Sequence, residues 1–317
     1  MKIAIIGGAG FIGTHLTYLL KHAGHEVRLL DVLKSEDFPV ETLIVNVEDR
    51  AALIENLKQC DVIYNLAAEH RDDVSPVERY YAVNVRGAEN IVAAAEANGI
   101  KTIIFNSTVA VYGLDGGESC ERDTPAPFND YAKSKLEAEG IFNRWVASNA
   151  QNSLVTLRLV ATFGPRNRGN IYTLMKQIAS GKFIMIGAGK NHKSVAYVKN
   201  VAAFLQHCLS FGAGSHLYNY ADKPDLNMRE MVRGIRQALG KKGLGLRLPY
   251  LIGLLGGRSF DVLAKLTGKI FPISAIRVQK FCANTVVNTD KLEATGFARP
   301  YSLHKGLNEM IAAEFKS

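Results

Sequence analysis

A glycine-rich turn near the start of the chain most constrains how it can fold. Residues 6–13 have the sequence Ile-Gly-Gly-Ala-Gly-Phe-Ile-Gly and directly follow a short apolar run. A buried strand that passes through such a turn into a helix is typical of a dinucleotide site. Gly7 permits the tight turn, Gly10 lets the backbone approach a pyrophosphate, and Gly13 lets the helix pack against the strand.

An acidic residue after the next apolar stretch indicates which dinucleotide binds. The helix that starts at Phe11 and Ile12 directs its first N–H groups towards the phosphates. Asp31 lies about 20 residues beyond the glycines, where a carboxylate accepts hydrogen bonds from the ribose hydroxyls of NAD. Neither the turn nor the position after Asp31 carries an arginine for the 2′-phosphate of NADP. We therefore expect NAD as the cofactor.

The composition indicates an intracellular enzyme without a metal. The chain has 317 residues, of which 47% are apolar, enough for one large unit and a smaller one. Its four cysteines form no Cys-x-x-Cys pair, which argues against a zinc site or a disulfide framework. Core-strand residues stand where a signal peptide would be, and no apolar stretch reaches the roughly 20 residues that span a bilayer. We expect a cytoplasmic protein.

Strand-like and helix-like segments alternate through the first half of the chain. This alternation predicts an α/β fold, a Rossmann-type doubly wound parallel sheet with helices on both faces. Beyond about residue 165 the pattern is less regular and indicates a smaller C-terminal α/β substrate lobe. We expect a nucleotide-binding domain over residues 1–165, with returning segments from the second half, and a substrate lobe over residues 166–317. The expected strands are short apolar runs at residues 2–6, 27–30, 43–47, 62–66, 102–106 and 154–159.

A tyrosine and a lysine four residues apart form the candidate catalytic pair. Tyr131 and Lys135 share one face of a helix, and an ammonium group beside a phenol favours phenolate, a usable general base. The pair follows the fifth predicted strand, whose end carries Thr108, and strand ends are where ligands bind in such sheets. Two other pairs have the same spacing and are predicted to be structural, Tyr172 with Lys176 and Tyr301 with Lys305.

Taken in order, these motifs resemble the extended short-chain dehydrogenase/reductase family, and within it the NAD-dependent epimerase/dehydratase branch. The resemblance covers nearly the whole chain. It implies that Tyr131 is the base, that Lys135 binds the nicotinamide ribose and tunes the tyrosine, and that Thr108 is the hydroxyl partner. It further implies a role beside the cofactor for a set of residues, Asn46, Val47, Leu66, Ala67, Ala68, Asn84 and Ser107.

Substrate contacts are predicted for residues after the sixth strand and in the second half of the chain. Arg166, Arg168 and Asn170 follow that strand, and Lys193 matches a basic residue that contacts a substrate diphosphate in the family. Ala161 stands where many members have a substrate-binding asparagine. Residues 70–73 form a charged cluster that either lines the substrate site or is a solvated loop.

The residues that follow Thr108 bear on the reaction type. The 4,6-dehydratases of the family carry an Asp-Glu pair directly after the hydroxyl residue, whereas Val109 and Ala110 stand here. Four longer stretches, residues 66–76, 164–170, 218–228 and 248–257, resemble bacterial epimerases acting on N-acetylglucosaminyl-diphospho-undecaprenol. We expect NAD-dependent C4 epimerisation of a diphosphate-linked N-acetylhexosamine. The alternatives are a UDP-sugar 4-epimerase, a net sugar-nucleotide dehydrogenase or reductase, and a non-catalytic NAD-sensing protein.

Basic residues are concentrated near the C-terminal third. Residues 240–280 hold eight lysines and arginines but one acidic residue, Asp261, and include an apolar run at residues 248–255. This combination favours contact with an anionic membrane surface and peripheral association with the inner face of the cell membrane. The region lacks a nucleic-acid motif, so we expect no nucleic-acid partner. By family resemblance we expect a homodimer.

Overall fold

The computed structural model describes residues 1–71, 74–113, 117–267 and 274–316. The strands are β1 Lys2–Ile6, β2 Glu26–Asp31, β3 Thr42–Ile44, β4 Val62–Asn65, β5 Thr102–Thr108, β6 Glu118–Ser119, β7 Ser153–Leu159, β8 Ala161–Phe163, β9 Ile184–Ile186, β10 His192–Tyr197, β11 Gly214–Tyr220, β12 Asp222–Asn227, β13 Leu246–Leu248 and β14 Val286–Val287.

The α-helices are α1 Phe11–His22, α2 Arg50–Asn56, α3 Glu78–Tyr80, α4 Gly87–Ala97, α5 Asp130–Ala147, α6 Asn170–Ala179, α7 Val198–His207, α8 Met228–Ala238, α9 Tyr250–Thr267, α10 Ala275–Cys282, α11 Asp290–Glu293 and α12 Leu303–Phe315. A π-helical turn covers Tyr81–Arg86, and short 3₁₀ turns cover Val109–Tyr112 and Cys208–Ser210.

The chain divides into two compact units that exchange segments. Unit 1 comprises Met1–Val160, Val198–Ala221 and Val287–Tyr301, and unit 2 comprises Ala161–Tyr197, Asp222–Val286 and Ser302–Ser317. The first boundary between the units therefore falls between Val160 and Ala161, whereas the sequence pattern predicted it at about residue 165.

Unit 1 is built on a seven-stranded parallel sheet with the order β11-β7-β5-β4-β1-β2-β3. From β1 the chain first builds outward to β2 and β3, and then returns to the other side of β1 to add β4. This reversal places the carboxyl ends of β1 and β4 side by side, where Ile6 is paired with Asn65. Doubly wound sheets bind ligands at such a position. The expected Rossmann-type fold is confirmed.

Helices cover the sheet of unit 1 because its strands are apolar on both faces. The α4 and α5 helices bury a cluster against β4, β5 and β7, in which the Phe105 and Phe142 rings lie 4.7 Å apart. The α1 and α7 helices pack against each other. A strand buried on both sides must be apolar throughout, which explains the uninterrupted runs in the sequence.

One predicted helix is divided in the structure. The sequence predicts a single helix over residues 83–97, but a π-helical turn at Tyr81–Arg86 precedes α4. Within this turn the Asn84 amide accepts a hydrogen bond from Glu69 N and donates one to Glu69 O, each at 3.0 Å. The wider π turn is associated with a side chain that bonds the backbone of another segment, a feature common at functional sites.

Unit 2 contains two small sheets and four longer helices in its described part. Strands β12, β10 and β8 form one sheet and β13 pairs with β9 in parallel. The α8 helix begins with a capping box between Asn227 and Glu230. The α12 helix presents the buried Gly306 to Tyr197.

We expect Gly306→Ala to destabilise the protein although alanine is the better helix former. A Cβ at residue 306 would lie 2.6 Å from Cγ of the fully buried Tyr197 ring, which cannot yield easily. Gly234→Ala in α8 is the matched control, since a Cβ there meets no atom within 4 Å and should stabilise by about 0.5–1 kcal/mol. Thermal unfolding measures both, and a stabilised Gly306→Ala protein would contradict this packing.

Candidate functional site

The glycine turn of unit 1 forms a backbone cradle at the end of β1. Gly7 has φ of +79°, and a Cβ there would lie 2.6 Å from Ala67 N, so only glycine fits. A Cβ at Gly13 would lie 2.6 Å from Gly8 O. For Gly10 the nearest atom to a Cβ is Gly7 O, at 3.2 Å. Of these three glycines, Gly10 is the least crowded by the protein itself. A ligand that approaches the backbone therefore best explains why glycine stands at this position.

The start of α1 can receive an anion. Gly10 is its N-cap, and in the part of the chain that the structure describes no side chain caps or adds negative charge to the first turn at Phe11 and Ile12. The first N–H groups of a helix without a capping side chain, together with its positive dipole end, bind phosphate oxygens well.

Asp31 lies at the carboxyl end of β2, beside the glycine turn. Its Oδ2 accepts a hydrogen bond from Ala9 N at 3.0 Å and its Oδ1 accepts one from Leu33 N at 3.1 Å. The two bonds hold the carboxylate between the turn and the end of the strand. This is the position from which an acidic side chain binds the ribose of a dinucleotide.

Other predicted cofactor residues line the same edge of unit 1. Leu66 N donates to Ile6 O at 2.8 Å, which brings Ala67 and Ala68 past the glycine turn. Asn46 follows β3, and its Oδ1 accepts from Glu48 N at 3.0 Å. Val47 is buried, and its methyl group would lie 3.0 Å from a Cβ at Gly87. The cofactor contacts of these residues stay predictions.

The catalytic candidates lie on α5 and at the end of β5. Asn129 caps α5 by accepting a hydrogen bond from Ala132 N at 2.9 Å, so the helix starts at Asp130 and Tyr131 stands in its first turn. Thr108 is the last residue of β5. Its Oγ1 accepts from Ala110 N at 3.2 Å, which leaves its O–H to donate.

Lys135 is almost completely buried one turn after Tyr131. Its Nζ lies 4.1 Å from the centroid of the Phe105 ring. Burial lowers the pKa of Lys135 to about 7, against the opposing effect of the Glu139 carboxylate one turn further along α5. Because burial destabilises the charged ammonium, nearby hydroxyl oxygens and a phenolate would stabilise it. The ribose of NAD and the Tyr131 side chain would supply these groups.

A short hydrogen-bond chain supports the first turn of α5 from behind. Asn84 Nδ2 donates to Ser134 Oγ at 2.9 Å, and Ser134 Oγ donates to Tyr131 O at 2.8 Å. Since Asn84 is also bonded to Glu69, the β4 loop and the π turn are linked to the backbone of Tyr131. Asn84, for which the resemblance implied a role beside the cofactor, therefore lies behind the first turn of α5, and its contact with a cofactor stays a prediction.

A buried ion pair that sequence reasoning missed links the elements that carry the candidate catalytic residues. Arg158 on β7 makes a bidentate pair with Glu139, with Nε to Oε1 at 3.0 Å and Nη2 to Oε2 at 2.7 Å. Ser107 Oγ donates to the same carboxylate. Ser107, predicted to bind cofactor, thus joins β5 to α5. The available signal was a lone arginine inside the otherwise apolar strand of residues 154–159.

Two of the predicted substrate residues of unit 2, Arg166 and Arg168, have protein partners. Arg168 Nη1 lies 2.6 Å from Glu314 Oε2, and its guanidinium stacks over the Tyr172 ring. Arg166 has φ of +71°, and its N donates to Glu314 Oε1 at 2.7 Å. Asn170 is the first residue of α6. Their roles towards a substrate stay predictions.

Lys193 lies on β10 in unit 2. It is paired with Leu226 of β12 and bridged to Thr285. Burial lowers the pKa of Lys193 to about 8, while Cys282 acts in the opposite direction. A partly desolvated ammonium of this kind is well suited to an anionic ligand.

Two further sequence expectations concern charges and metals. Arg71 pairs with Glu69 at 3.0 Å, whereas Asp72 and Asp73 of the charged cluster lie outside the described residues. Within the described ranges no group of three or more His, Cys, Asp or Glu side chains could hold a metal ion. Among the same residues, no helix is both long and apolar enough to cross a bilayer.

We expect Asp31 to control the choice between NAD and NADP. Its carboxylate repels a 2′-phosphate, so Asp31→Asn should narrow the preference for NAD over NADP by about tenfold. Calorimetric titration of cofactor-stripped protein measures both affinities. Equal affinities of the wild type for the two dinucleotides would place Asp31 away from the ribose.

The burial of Lys135 predicts a pH-dependent stability of the cofactor-stripped protein. Its folded-state pKa of about 7 lies below the ordinary range near 10.4, so the unfolded chain binds more protons between these values. The free energy of unfolding should therefore rise with pH across this window, by at most about 1.4 kcal/mol per pH unit, relative to Lys135→Met. Lys133→Met, on the exposed side of the same helix, is the control and should run parallel to wild type. Denaturant unfolding at several pH values measures this, and a Lys135→Met curve parallel to wild type contradicts it.

Comparisons with known proteins agree with this geometry. The family model of the NAD dependent epimerase/dehydratase family matches residues 3–221. The N-acetyl-alpha-D-glucosaminyl-diphospho-ditrans,octacis-undecaprenol 4-epimerase of Escherichia coli O157:H7 is 46% identical over 316 residues, which cover 99% of this chain and 95% of that protein.

Solved structures share the fold. The UDP-glucose 4-epimerase of Thermus thermophilus, in complex with NAD, superposes with a TM-score of 0.77 at 22% identity over 99% of this chain and 98% of that one. The UDP-N-acetylglucosamine 4-epimerase of Bacillus cereus superposes with a TM-score of 0.79 at 20% identity, covering 99% of each chain. With its glycine cradle, Asp31 and the Tyr131–Lys135 pair in place, the chain belongs to the NAD dependent epimerase/dehydratase family.

Proposed function

We propose that this protein inverts C4 of an N-acetylhexosamine linked through a diphosphate to a polyprenol, converting the N-acetylglucosaminyl form to the N-acetylgalactosaminyl form. The observation that carries the proposal is the arrangement of Tyr131 and Lys135 on α5 and of Thr108 at the end of β5. The proposed base, cation and hydroxyl donor all belong to unit 1, as does the glycine turn, and this supports the proposal.

In the proposed mechanism Tyr131 removes the proton of the 4-hydroxyl group. Lys135 stabilises the phenolate and binds the nicotinamide ribose, and Thr108 donates a hydrogen bond to the same substrate oxygen. NAD, when bound, would supply the hydride acceptor for C4 and the hydride donor for its reduction, with no net redox change. The 4-keto sugar would rotate about its phosphate linkage to present the other face of C4, and Tyr131 would return the proton to the 4-oxygen.

The polyprenyl carrier is inferred from the close relative, and the diphosphate contact is inferred from the cations of unit 2. The 46% identity to an epimerase whose name specifies diphospho-undecaprenol extends over almost the whole of both chains. Lys193 is the candidate for the substrate diphosphate, because a phosphate would offset the desolvation that lowers its pKa. Arg166, Arg168 and Asn170 are proposed to contribute further polar contacts.

Two alternative activities give different products. A UDP-sugar 4-epimerase would act on the free nucleotide sugar, and a dehydrogenase would accumulate NADH over many turnovers. The decisive experiment incubates the purified protein with UDP-linked and polyprenyl-diphosphate-linked N-acetylglucosamine and resolves the 4-epimers chromatographically. Conversion of the lipid-linked sugar without net NADH supports the proposal, and conversion of the UDP-sugar alone contradicts it.

We further propose a homodimer that associates peripherally with the membrane. In unit 1 a groove of about 320 Å³ runs between α4 and α5, with Val92, Ile141 and Trp145 in its lining and charged groups at its rim, Glu89, Glu96 and Arg144. An apolar groove with a polar rim between two helices suits packing against the same helices of a second copy. A lipid-linked substrate would keep the dimer at the membrane surface.

We expect Tyr131→Phe to lose turnover and keep NAD. Only the proton-transfer group is removed, and general acid–base catalysis is typically worth about 10²–10⁴-fold in rate. The control is Tyr301→Phe, which alters the tyrosine of a Tyr-x-x-x-Lys pair that the mechanism does not use and should leave the rate unchanged. Epimer formation and bound NAD are measured together. A Tyr131→Phe enzyme with near wild-type turnover would remove Tyr131 from the mechanism.

A further inference from the structure

We propose that unit 2 docks on an anionic lipid bilayer through the outward side of α9, which we call the α9 apolar face and define as Leu251, Ile252 and Leu255. The inference rests on the proposed function for its purpose, because a polyprenyl-linked substrate lies in a membrane. The surface itself is argued from packing, exposure and charge within unit 2.

The α9 helix packs in the reverse of the usual manner. Its buried side is formed by glycines: a Cβ at Gly253 would lie 2.5 Å from Ile186 Cγ2, and a Cβ at Gly257 would lie 2.8 Å from Ala275 N. A helix of a water-soluble domain normally directs its large apolar residues inward. Here the close approach of β9 and α10 requires the glycine side, so Leu251 and Leu255 on the opposite side face outward.

The outward side is strongly exposed. Leu251 is 69% exposed, Ile252 is 54% exposed and Leu255 is 62% exposed. Leu251 and Leu255 are one turn apart and therefore adjacent on the helix surface. Two other elements of unit 2 also expose a large apolar side chain, Leu246 of β13 at 68% and Ile276 of α10 at 50%. A cluster of large exposed apolar side chains marks a surface that contacts another apolar phase or partner.

The charges beside this face select an anionic partner. Arg247 precedes α9, and Arg258 follows Leu255 by three residues on the same exposed side. The single acidic residue of the region, Asp261, accepts a hydrogen bond from Ala275 N at 3.0 Å and so lies towards α10. Lys269 lies outside the described residues. Basic groups flanking an apolar helical face are the pattern of helices that lie in a membrane interface.

A cavity of about 490 Å³ lies at the start of α9, next to the α9 apolar face. It is lined by the turn of residues 187–191 and by Tyr250, Gln279 and Cys282, and Cys282 interacts electrostatically with Lys193. Tyr250 is the first residue of α9 and is followed directly by Leu251. A diphosphate held near Lys193 would thus have its lipid chain beside the α9 apolar face, which favours a bilayer over a soluble partner.

The test measures binding of the full-length, NAD-loaded protein to vesicles. Co-sedimentation compares phosphatidylcholine vesicles with vesicles that also contain phosphatidylglycerol, at low and high salt. We expect binding to anionic vesicles that weakens with salt. Leu251→Gln/Leu255→Gln should weaken partitioning at least tenfold, and Arg247→Gln/Arg258→Gln should weaken it roughly 30-fold on anionic vesicles.

Matched controls separate a specific surface from general hydrophobicity and charge. Val40→Gln removes an apolar side chain of unit 1 that is 89% exposed, and Lys58→Gln/Lys101→Gln removes two exposed positive charges of unit 1. Neither should change vesicle binding. Unchanged thermal unfolding and NAD content establish that each variant is folded.

The outcomes distinguish this proposal from the proposed function. Epimerisation of a short-chain, soluble polyprenyl-diphosphate sugar should survive in the α9 variants, because Tyr131 and Lys135 belong to unit 1. Wild-type protein that ignores anionic vesicles at low salt overturns the docking surface, whatever its activity. Loss of dimer mass without loss of vesicle binding in Leu251→Gln/Leu255→Gln would show that a second copy of the chain covers this face, and would also overturn it.

Discussion

The Glu139 carboxylate is the interaction on which the catalytic part of unit 1 depends. It binds the Arg158 guanidinium on β7 through two hydrogen bonds and accepts a third from Ser107 on β5. One buried side chain therefore joins the helix of Tyr131 and Lys135 to the strand that ends at Thr108. A charge in such a place is tolerated only when it is paired, and removal of one partner from a buried pair typically costs about 3–5 kcal/mol. The positions of Tyr131 and Thr108 relative to each other therefore depend on this buried ion pair.

Lys135 is a buried cation whose desolvation costs free energy of folding. Loss of solvent around the buried ammonium disfavours its charged form and lowers its pKa to about 7. The Phe105 ring, whose centroid lies 4.1 Å from Nζ, attracts the cation and does not cause this shift. The Glu139 carboxylate acts against this effect from one turn away. The protonation of a lysine with a pKa near neutral pH shifts more on binding of a ribose or beside a phenolate than that of a solvated lysine. The same burial makes it a weak point of the cofactor-free fold.

The two units use glycine for different purposes. In unit 1 the glycines bring backbone next to backbone, as at Gly7 and Ala67, and leave room for a ligand at Gly10. In unit 2, Gly253 and Gly257 bring α9 next to β9 and α10, and the consequence is an apolar surface directed outward. The same arrangement of residues therefore permits the close helix contact and leaves Leu251 and Leu255 exposed.

Local patterns in the sequence determined the parts of this protein that depend on short separations along the chain. The glycine turn, the acidic end of β2 and the Tyr131–Lys135 spacing are each set within one strand–turn–helix unit or one helical turn, so they predicted the parallel sheet and the candidate catalytic pair.

Tertiary structure alone decided which distant residues meet. Glu139 and Arg158 are 19 residues apart on different elements, and the π turn at Asn84 depends on Glu69 from another segment. Likewise, the sequence around residue 250 showed an apolar run with basic neighbours. Only the packing of Gly253 and Gly257 determined that Leu251 and Leu255 face outward, because the closest approach between two elements selects the side with the smallest residues.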